Sequence, residues 1–289
     1  MSTKSVSLFD LAPGKLFHDR YKIVRAFRQG GMSSTFEVED QRTKSTREMQ
    51  VFPAALFTGT AQAAEFAQSM EKWKDVRSKA VLTVQDVHVL DDGTLVFVTD
   101  MPVGVSLRDW QSKHGAAAPA LAIQVGIELL DGLGAIHAAG LVHGDIKPTT
   151  VFLDEKHRKH VALVDGGITP ALWSAKHLGD KTALIGTPFY APVEQFGGDS
   201  PDVQSDVYNL ATVLFEMLTG VIPWPGKSFL EVFQAKLAKS PPSMKARAPK
   251  IEVPLELEQA IVGGLMADKK ERYRTAEHFR SALAAVKGA

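Results

Sequence analysis

Through the first hundred residues apolar and polar positions alternate in short runs. Tyr21–Val24, Thr35–Val38 and Arg47–Phe52 read as strands, the first two joined by Arg28-Gln-Gly-Gly-Met-Ser-Ser34. Ala61–Val76, rich in Ala, Gln, Glu, Lys and Met, predicts one amphipathic helix. Val81–Leu90 and Thr94–Thr99 read as strands around an Asp91-Asp-Gly93 turn. Beyond Gly104 the period lengthens. Ser106 is placed to cap a helix, and Leu121–Ala139 reads as a long helix, apolar nearly all round and ended by Gly140. Two short apolar runs, Val151–Leu153 and His160–Val164, flank a charged stretch and predict a hairpin. Residues 168–200 read as loop. Asp206–Leu218, Leu255–Met266 and Ala276–Val286 read as helices, and the proline-rich stretch 239–254 as loop. The expected organisation is a lead-in over 1–20, a β-rich region over 21–100 and a mostly helical region over 101–289.

Length and composition narrow this picture. A chain of 289 residues suits two lobes. Lys plus Arg and Asp plus Glu number 33 each, so no global field steers nucleic acid or an anionic membrane. The basic run Lys156–His160 reads as a solvated turn rather than a nucleic-acid site. The absence of cysteine excludes disulfides, thiolate metal sites and cysteine nucleophiles. No uninterrupted apolar run reaches the roughly 18 residues of a membrane span, and no signal peptide is evident, so a cytoplasmic protein is expected.

Candidate chemistry gathers in one stretch. His143-Gly-Asp-Ile-Lys-Pro-Thr-Thr150 sets Asp145 and Lys147 in one turn, and the hairpin brings in a second acid, Asp165, twenty residues later. One acid can orient a hydroxyl nucleophile and the other hold a divalent cation on a phosphate. The lysine can neutralise charge on the transferred group. Phosphoryl transfer needs such parts, because its catalysis is mostly positioning and electrostatics.

A β-rich lobe, a helical lobe and a loop–hairpin–loop between them resemble the protein kinase fold, most closely the bacterial members of the eukaryotic-like serine/threonine kinases. Gly186-Thr-Pro-Phe-Tyr-Ala-Pro-Val-Glu-Gln195 is similar to the end of an activation segment, and Ser205–Leu210 with Glu216–Gly220 to the central helix of the larger lobe. The implied fold class is α+β: a small antiparallel N-lobe with one helix, and a larger helical C-lobe. The resemblance makes Asp145 and Lys147 the catalytic-loop positions and Asp165 the metal-binding acid. It makes His143, Asp206, Glu194 and Arg272 structural, with Asp206 accepting backbone N–H bonds and Glu194 paired to Arg272.

The same resemblance shows a nucleotide site that departs from the family. The glycine-rich loop reads Arg28, Gly30, Gly31 and Ser33, and Thr35 stands where an apolar residue roofs the adenine. Gln50 replaces the lysine that pairs with phosphates, and Glu48 replaces a small alanine. A carboxylate there costs several kcal/mol to desolvate unless it finds a partner. Arg28 reads as a solvated loop residue, or else as a cation substituting for the lost lysine. Gly144 replaces an arginine, Thr150 a metal-binding asparagine and Gly166 a phenylalanine. The position of the N-lobe helix glutamate falls near Ser69, between Glu65 and Glu71, without a clear assignment. Thr169, Ser174, Thr182 and Thr187 are candidate phosphoacceptors. The expectation is a pseudokinase, with ATP and Mg²⁺ binding weak or absent. It would act as a regulatory or scaffolding module on a protein partner: a kinase, a phosphatase or a phosphothreonine-reading domain. The alternatives are an active atypical serine/threonine kinase and a binder of some non-ATP ligand.

Overall fold

The computed structural model describes residues 11–29, 32–155, 160–175, 188–237 and 240–286. Gly30, Gly31, Thr182, Thr187 and the basic run Lys156–Lys159 lie outside them. The chain forms two compact units.

The first unit is a six-stranded antiparallel sheet of order β1-β2-β3-β4-β6-β5. Its strands are β1 (Leu16–Phe17), β2 (Tyr21–Gln29), β3 (Ser34–Asp40), β4 (Ser45–Phe52), β5 (Val84–Val89) and β6 (Leu95–Asp100). Alternation along these strands gives the sheet two faces. One face buries Tyr21, Ile23, Phe36, Val38, Met49, Val51, Val96 and Val98, together with Leu11 and Phe17 from the expected lead-in. The face behind it carries Phe52, which lies 5.6 Å from the Phe97 ring and 5.4 Å from that of Phe66. Phe66 belongs to α1 (Thr60–Glu71), whose inward positions are Ala63, Phe66, Ala67 and Met70. The single helix expected over 61–76 is shorter: it ends at Glu71, and Lys72–Asp75 tightens into a 3-10 turn.

The second unit is mostly helical. A small sheet of β7 (Val105–Ser106), β8 (Val151–Leu153) and β9 (Val161–Leu163) carries the expected hairpin. Gly104 leads into it at φ +92°, and a Cβ there would lie 2.1 Å from the Leu153 carbonyl oxygen, so only glycine fits. The helices α2 (Leu107–His114) and α3 (Pro119–Ala138) follow. Ser106 caps α2 as expected, accepting from the Asp109 N–H.

Residues 168–200, expected as loop, contain two helices, α4 (Ile168–Ala175) and α5 (Val193–Phe196). Proline is tolerated in a first helical turn, where its missing N–H has no partner to lose, so Pro170 does not break α4. Next come α6 (Val203–Thr219), α7 (Phe229–Lys236), α8 (Met244–Arg247), α9 (Leu255–Gly264) and α10 (Ala276–Ala284). Asp202 and Ser205 close a reciprocal capping box on α6, and Gly220 ends it at φ +74°. By length and composition alone α3 is apolar enough to cross a membrane. Here it packs against α6, α10 and β9, and buries Leu129, Leu130, Leu133 and Ile136.

Candidate active site

In the second unit the catalytic-loop residues are held by backbone and side-chain bonds that the sequence anticipates in outline. Asp206, fully buried on α6, accepts the N–H groups of His143 and Gly144 at 2.8 Å each, and His137 Nε2 lies 2.9 Å away. His143 is itself buried. Its Nε2–H donates to the Val164 carbonyl at 3.0 Å, and its Nδ1 accepts from the Asp145 N–H at 3.4 Å. Burial pushes the His143 pKa below the usual imidazole range, and the nearby Asp206, Asp145 and Asp165 charges only partly oppose this. It is a neutral strut between the loop and Val164, the residue after β9.

Lys147 Nζ pairs with Asp145 Oδ2, and both side chains remain partly exposed. Thr150 is buried. Its Oγ1 accepts from the Lys147 N–H at 3.0 Å and lies within donor reach of the Asp145 and Lys147 carbonyls, at 3.0 and 3.1 Å. The hydroxyl therefore braces the turn, which is a different task from that of a cation-binding amide. Asp165 takes φ +61°, a left-handed conformation that aspartate tolerates better than most residues. Among the described residues no group of three or more His, Asp or Glu side chains could hold a metal ion. Asp145 is tied to Lys147, and the Thr150 hydroxyl is turned into the loop.

Gly144, the position of the lost arginine, sits at φ +81°. A Cβ there would come within 2.5 Å of Pro170 Cδ on α4. This close approach explains why the residue is glycine. Thr169 of α4 is buried, whereas Ser174 at its C-terminal end is exposed. Ser174 and Ala175 fall within the first unit, where Ser174 Oγ donates to Glu65 Oε1 at 3.0 Å and Gln62 Nε2 donates to the Ala175 carbonyl at 2.8 Å.

In the first unit the sheet face bearing Phe52 and Phe97 turns polar toward Glu48. Strand register sets Gln50 opposite Thr35 and Phe97, and Glu48 opposite Glu37 and Thr99. Two acids directly opposite each other repel. Each is met by its own arginine on β2: Arg25 Nη2 lies 2.5 Å from Glu37, and Arg28 Nη2 lies 2.7 Å from Glu48. The Arg28 Nε also reaches Glu48 Oε1, at 3.0 Å. Arg28 is therefore no solvated loop residue. It belongs to β2, and its guanidinium is 23% exposed against a fully buried carboxylate. Thr35 Oγ1 accepts from the Arg28 N–H at 2.9 Å and donates to the Arg28 carbonyl, pinning the strand that carries the arginine. Gln50 Nε2 donates to Glu48 Oε1 at 3.3 Å, and Ser33 Oγ reaches Gln50 Oε1 at 3.5 Å. No acid lies among the buried positions of α1. Ser69 bonds back to the Glu65 carbonyl, Glu65 meets Ser174, and Glu71 pairs with Lys74.

Sequence reasoning missed two features. One is the Arg28–Glu48 pair, which the register of three strands creates. The other is Lys236, a buried lysine on α7.

Glu194 and Arg272 form the expected pair, with Nη1–Oε1 at 2.7 Å and Nη2–Oε2 at 3.1 Å.

Comparison with known proteins agrees with this geometry. The protein kinase domain family matches residues 21–282. A probable serine/threonine-protein kinase PknB of Lactococcus lactis is 28% identical over 272 residues, covering 94% of this chain and 42% of that protein. The serine/threonine-protein kinase PknB of Mycolicibacterium smegmatis is 30% identical over 273 residues, covering 93% and 43%. The chain thus spans about two fifths of the length of these curated relatives. Among solved structures, the Mycobacterium tuberculosis PknI kinase domain superposes with a TM-score of 0.72 at 19% identity, covering 94% of this chain and 98% of the other. Rad53 in complex with AMP-PNP gives 0.76 at 17% identity, covering 92% and 66%. At such identities the likeness speaks to the fold alone. With the β-rich and helical units, the braced catalytic loop and the family match over most of its length, the chain belongs to the protein kinase domain family, with relatives among the bacterial serine/threonine kinases.

Proposed function

We propose that this kinase domain is a pseudokinase, a regulatory or scaffolding module that acts on a protein partner with little or no phosphoryl transfer. The observation that carries this reading is the Arg28–Glu48–Gln50 chain of bonds. It fills with polar side chains the sheet face where the family sequence places a small alanine and a phosphate-binding lysine. An apolar purine face gains nothing from a buried ion pair, and the carboxylate adds a negative charge beside a polyanionic nucleotide. Thr150 and Gly144 support the same reading from the second unit, one braced into the loop and the other lacking a side chain. A cytoplasmic placement, and a kinase, phosphatase or phosphothreonine-reading domain as partner, belong to this proposal.

A second reading, an active atypical serine/threonine kinase, draws on the retained Asp145–Lys147 pair and on Asp165. Thermal unfolding with and without ATP and Mg²⁺ separates the two. The pseudokinase reading expects ATP–Mg²⁺ to leave the midpoint within about 1 °C. A ligand at 100 times its Kd adds about 2.7 kcal/mol, a shift of several degrees for a domain of this size. A shift of that size, lost on Gln50→Ala, would favour the active kinase.

A further inference from the structure

Residues 188–191 lie in the stretch similar to the end of an activation segment, and each of their four carbonyls is held by a side chain from the helical unit. Lys236, at the C-terminal end of α7 and only 1% exposed, points its Nζ at three of them. It donates to Pro188 at 2.9 Å, to Phe189 at 3.1 Å and to Ala191. The carbonyl it omits, that of Tyr190, accepts from Asn209 Nδ2 on α6 at 2.8 Å. The Tyr190 side chain is fixed as well, its hydroxyl donating to Glu216 Oε2 at 2.5 Å.

The ammonium has no carboxylate within bonding distance among the described residues. Its surroundings are the Phe196 and Tyr208 rings, each with its centroid 5.4 Å away. Arg272 lies over the same Tyr208 ring at 5.0 Å, so two cations share that ring. Glu194, the one acid among these groups, is already bonded to Arg272 through both oxygens. Burial draws the Lys236 pKa down to about 7, and the Glu194 charge opposes the shift. Only the ammonium form carries the three N–H donors that three carbonyls use.

A buried lysine is costly unless it does something a methionine cannot. Here it gathers three of the four carbonyls of residues 188–191, leaving that of Tyr190 to Asn209. Asn209 meets this need although its Oδ1 is buried without a hydrogen-bond partner among the described residues. Gly144 offers no cation from the catalytic loop, and Lys147 is paired with Asp145. The order of residues 188–191 thus comes from α6 and α7.

We propose that Lys236, with Asn209, is a positioning residue that fixes residues 188–191 by their backbone, so that the end of the activation segment stays ordered whatever the phosphorylation state of the residues before it. The inference rests on the family assignment and is independent of whether the chain transfers phosphate.

Native-state cleavage by chymotrypsin after Phe189 and Tyr190 reads this order directly. Lys236→Met keeps the length and apolar stem but removes the donors. It should speed cleavage at these two bonds by about tenfold or more, the usual effect of losing a charged hydrogen-bond donor. Cleavage elsewhere should change far less. Phosphatase treatment of the wild-type chain should leave the two bonds as resistant as before. Equal acceleration at all sites would show a purely global role for Lys236, and loss of resistance on phosphatase treatment would show that phosphate orders the segment. Either outcome overturns the proposal. Should Lys236→Met fail to fold, the wild-type chain still decides. Labelled with ¹⁵N-lysine and ¹³C-carbonyl, it should show a slowly exchanging ammonium at Lys236, with scalar couplings across hydrogen bonds to the carbonyls of Pro188, Phe189 and Ala191. A rapidly exchanging amine without those couplings would refute the clamp.

Discussion

Arg28→Ala lowers the unfolding free energy by about 3–5 kcal/mol, the usual effect of stripping one partner from a buried ion pair. Glu48 is fully buried, and the Arg28 guanidinium bonds its Oε1 through both Nε and Nη2. Without the arginine, Gln50 remains as a neutral donor at 3.3 Å, which is weak compensation for a desolvated charge. Across β3 and β4, Glu48 also stands opposite Glu37, so the lost cation uncovers a like-charge pair as well. Arg28→Met combined with Glu48→Leu removes both charges and should recover most of the stability, because apolar replacement of a whole buried pair is often neutral or stabilising. Urea unfolding of the two variants, with the slope m compared, checks this. A single-variant loss below about 1 kcal/mol would mean that the pair is solvated in solution.

The second large effect lies in the helical unit. Arg272→Ala is expected to destabilise the chain by about 3–5 kcal/mol or more, a sizeable part of the 5–15 kcal/mol typical of a whole domain. The Arg272 side chain has no exposure, and its guanidinium does more than meet Glu194. It donates to the carbonyls of Met266, Gln204 and Ala267 at 2.8, 3.2 and 3.2 Å, joining α5, α6 and the turn after α9. Truncation leaves a mostly buried carboxylate and three carbonyls without these donors. It also removes one of the two cations from the Tyr208 ring. Arg272→Lys should recover little, since an ammonium cannot reproduce the bidentate fork. Denaturant midpoints of the two variants measure this, and near-wild-type stability of Arg272→Lys would contradict it.

Much of the fold is legible from hydrophobic period alone, because α3 and α6 are long and the strands of the first unit alternate. What escapes is short or carries breaker residues. Leu16–Phe17 and Val105–Ser106 offer two positions each, too few to show alternation. Ile168–Ala175 follows Gly166 and Gly167 and holds Pro170, so it reads as loop although those residues sit where a helix tolerates them. Phe229–Lys236 lies between a proline turn and a proline-rich stretch, and it is only eight residues long and ends on a charged residue, Lys236. The site divides in the same way. Asp145, Lys147, Thr150 and His143 lie within eight residues of one another, and their mutual bonds follow from one turn. The Arg28–Glu48 pair depends on the register of β2 against β3 and of β3 against β4, and a strand ended at Val24 hides it. Lys236 clamps carbonyls more than forty residues earlier, which no local pattern announces.

The proposal that the nucleotide site is disabled is tested most directly by phosphoryl transfer. The purified chain is incubated with labelled ATP, Mg²⁺ or Mn²⁺ and a generic protein acceptor, beside Asp145→Asn. Losing one electrostatic group at such a site commonly costs about 10²–10³ in rate, and several are altered here. The expected result is incorporation no greater than that of Asp145→Asn, into the chain itself or into the acceptor. Metal-dependent incorporation that Asp145→Asn abolishes would contradict the pseudokinase reading and make the domain an active kinase.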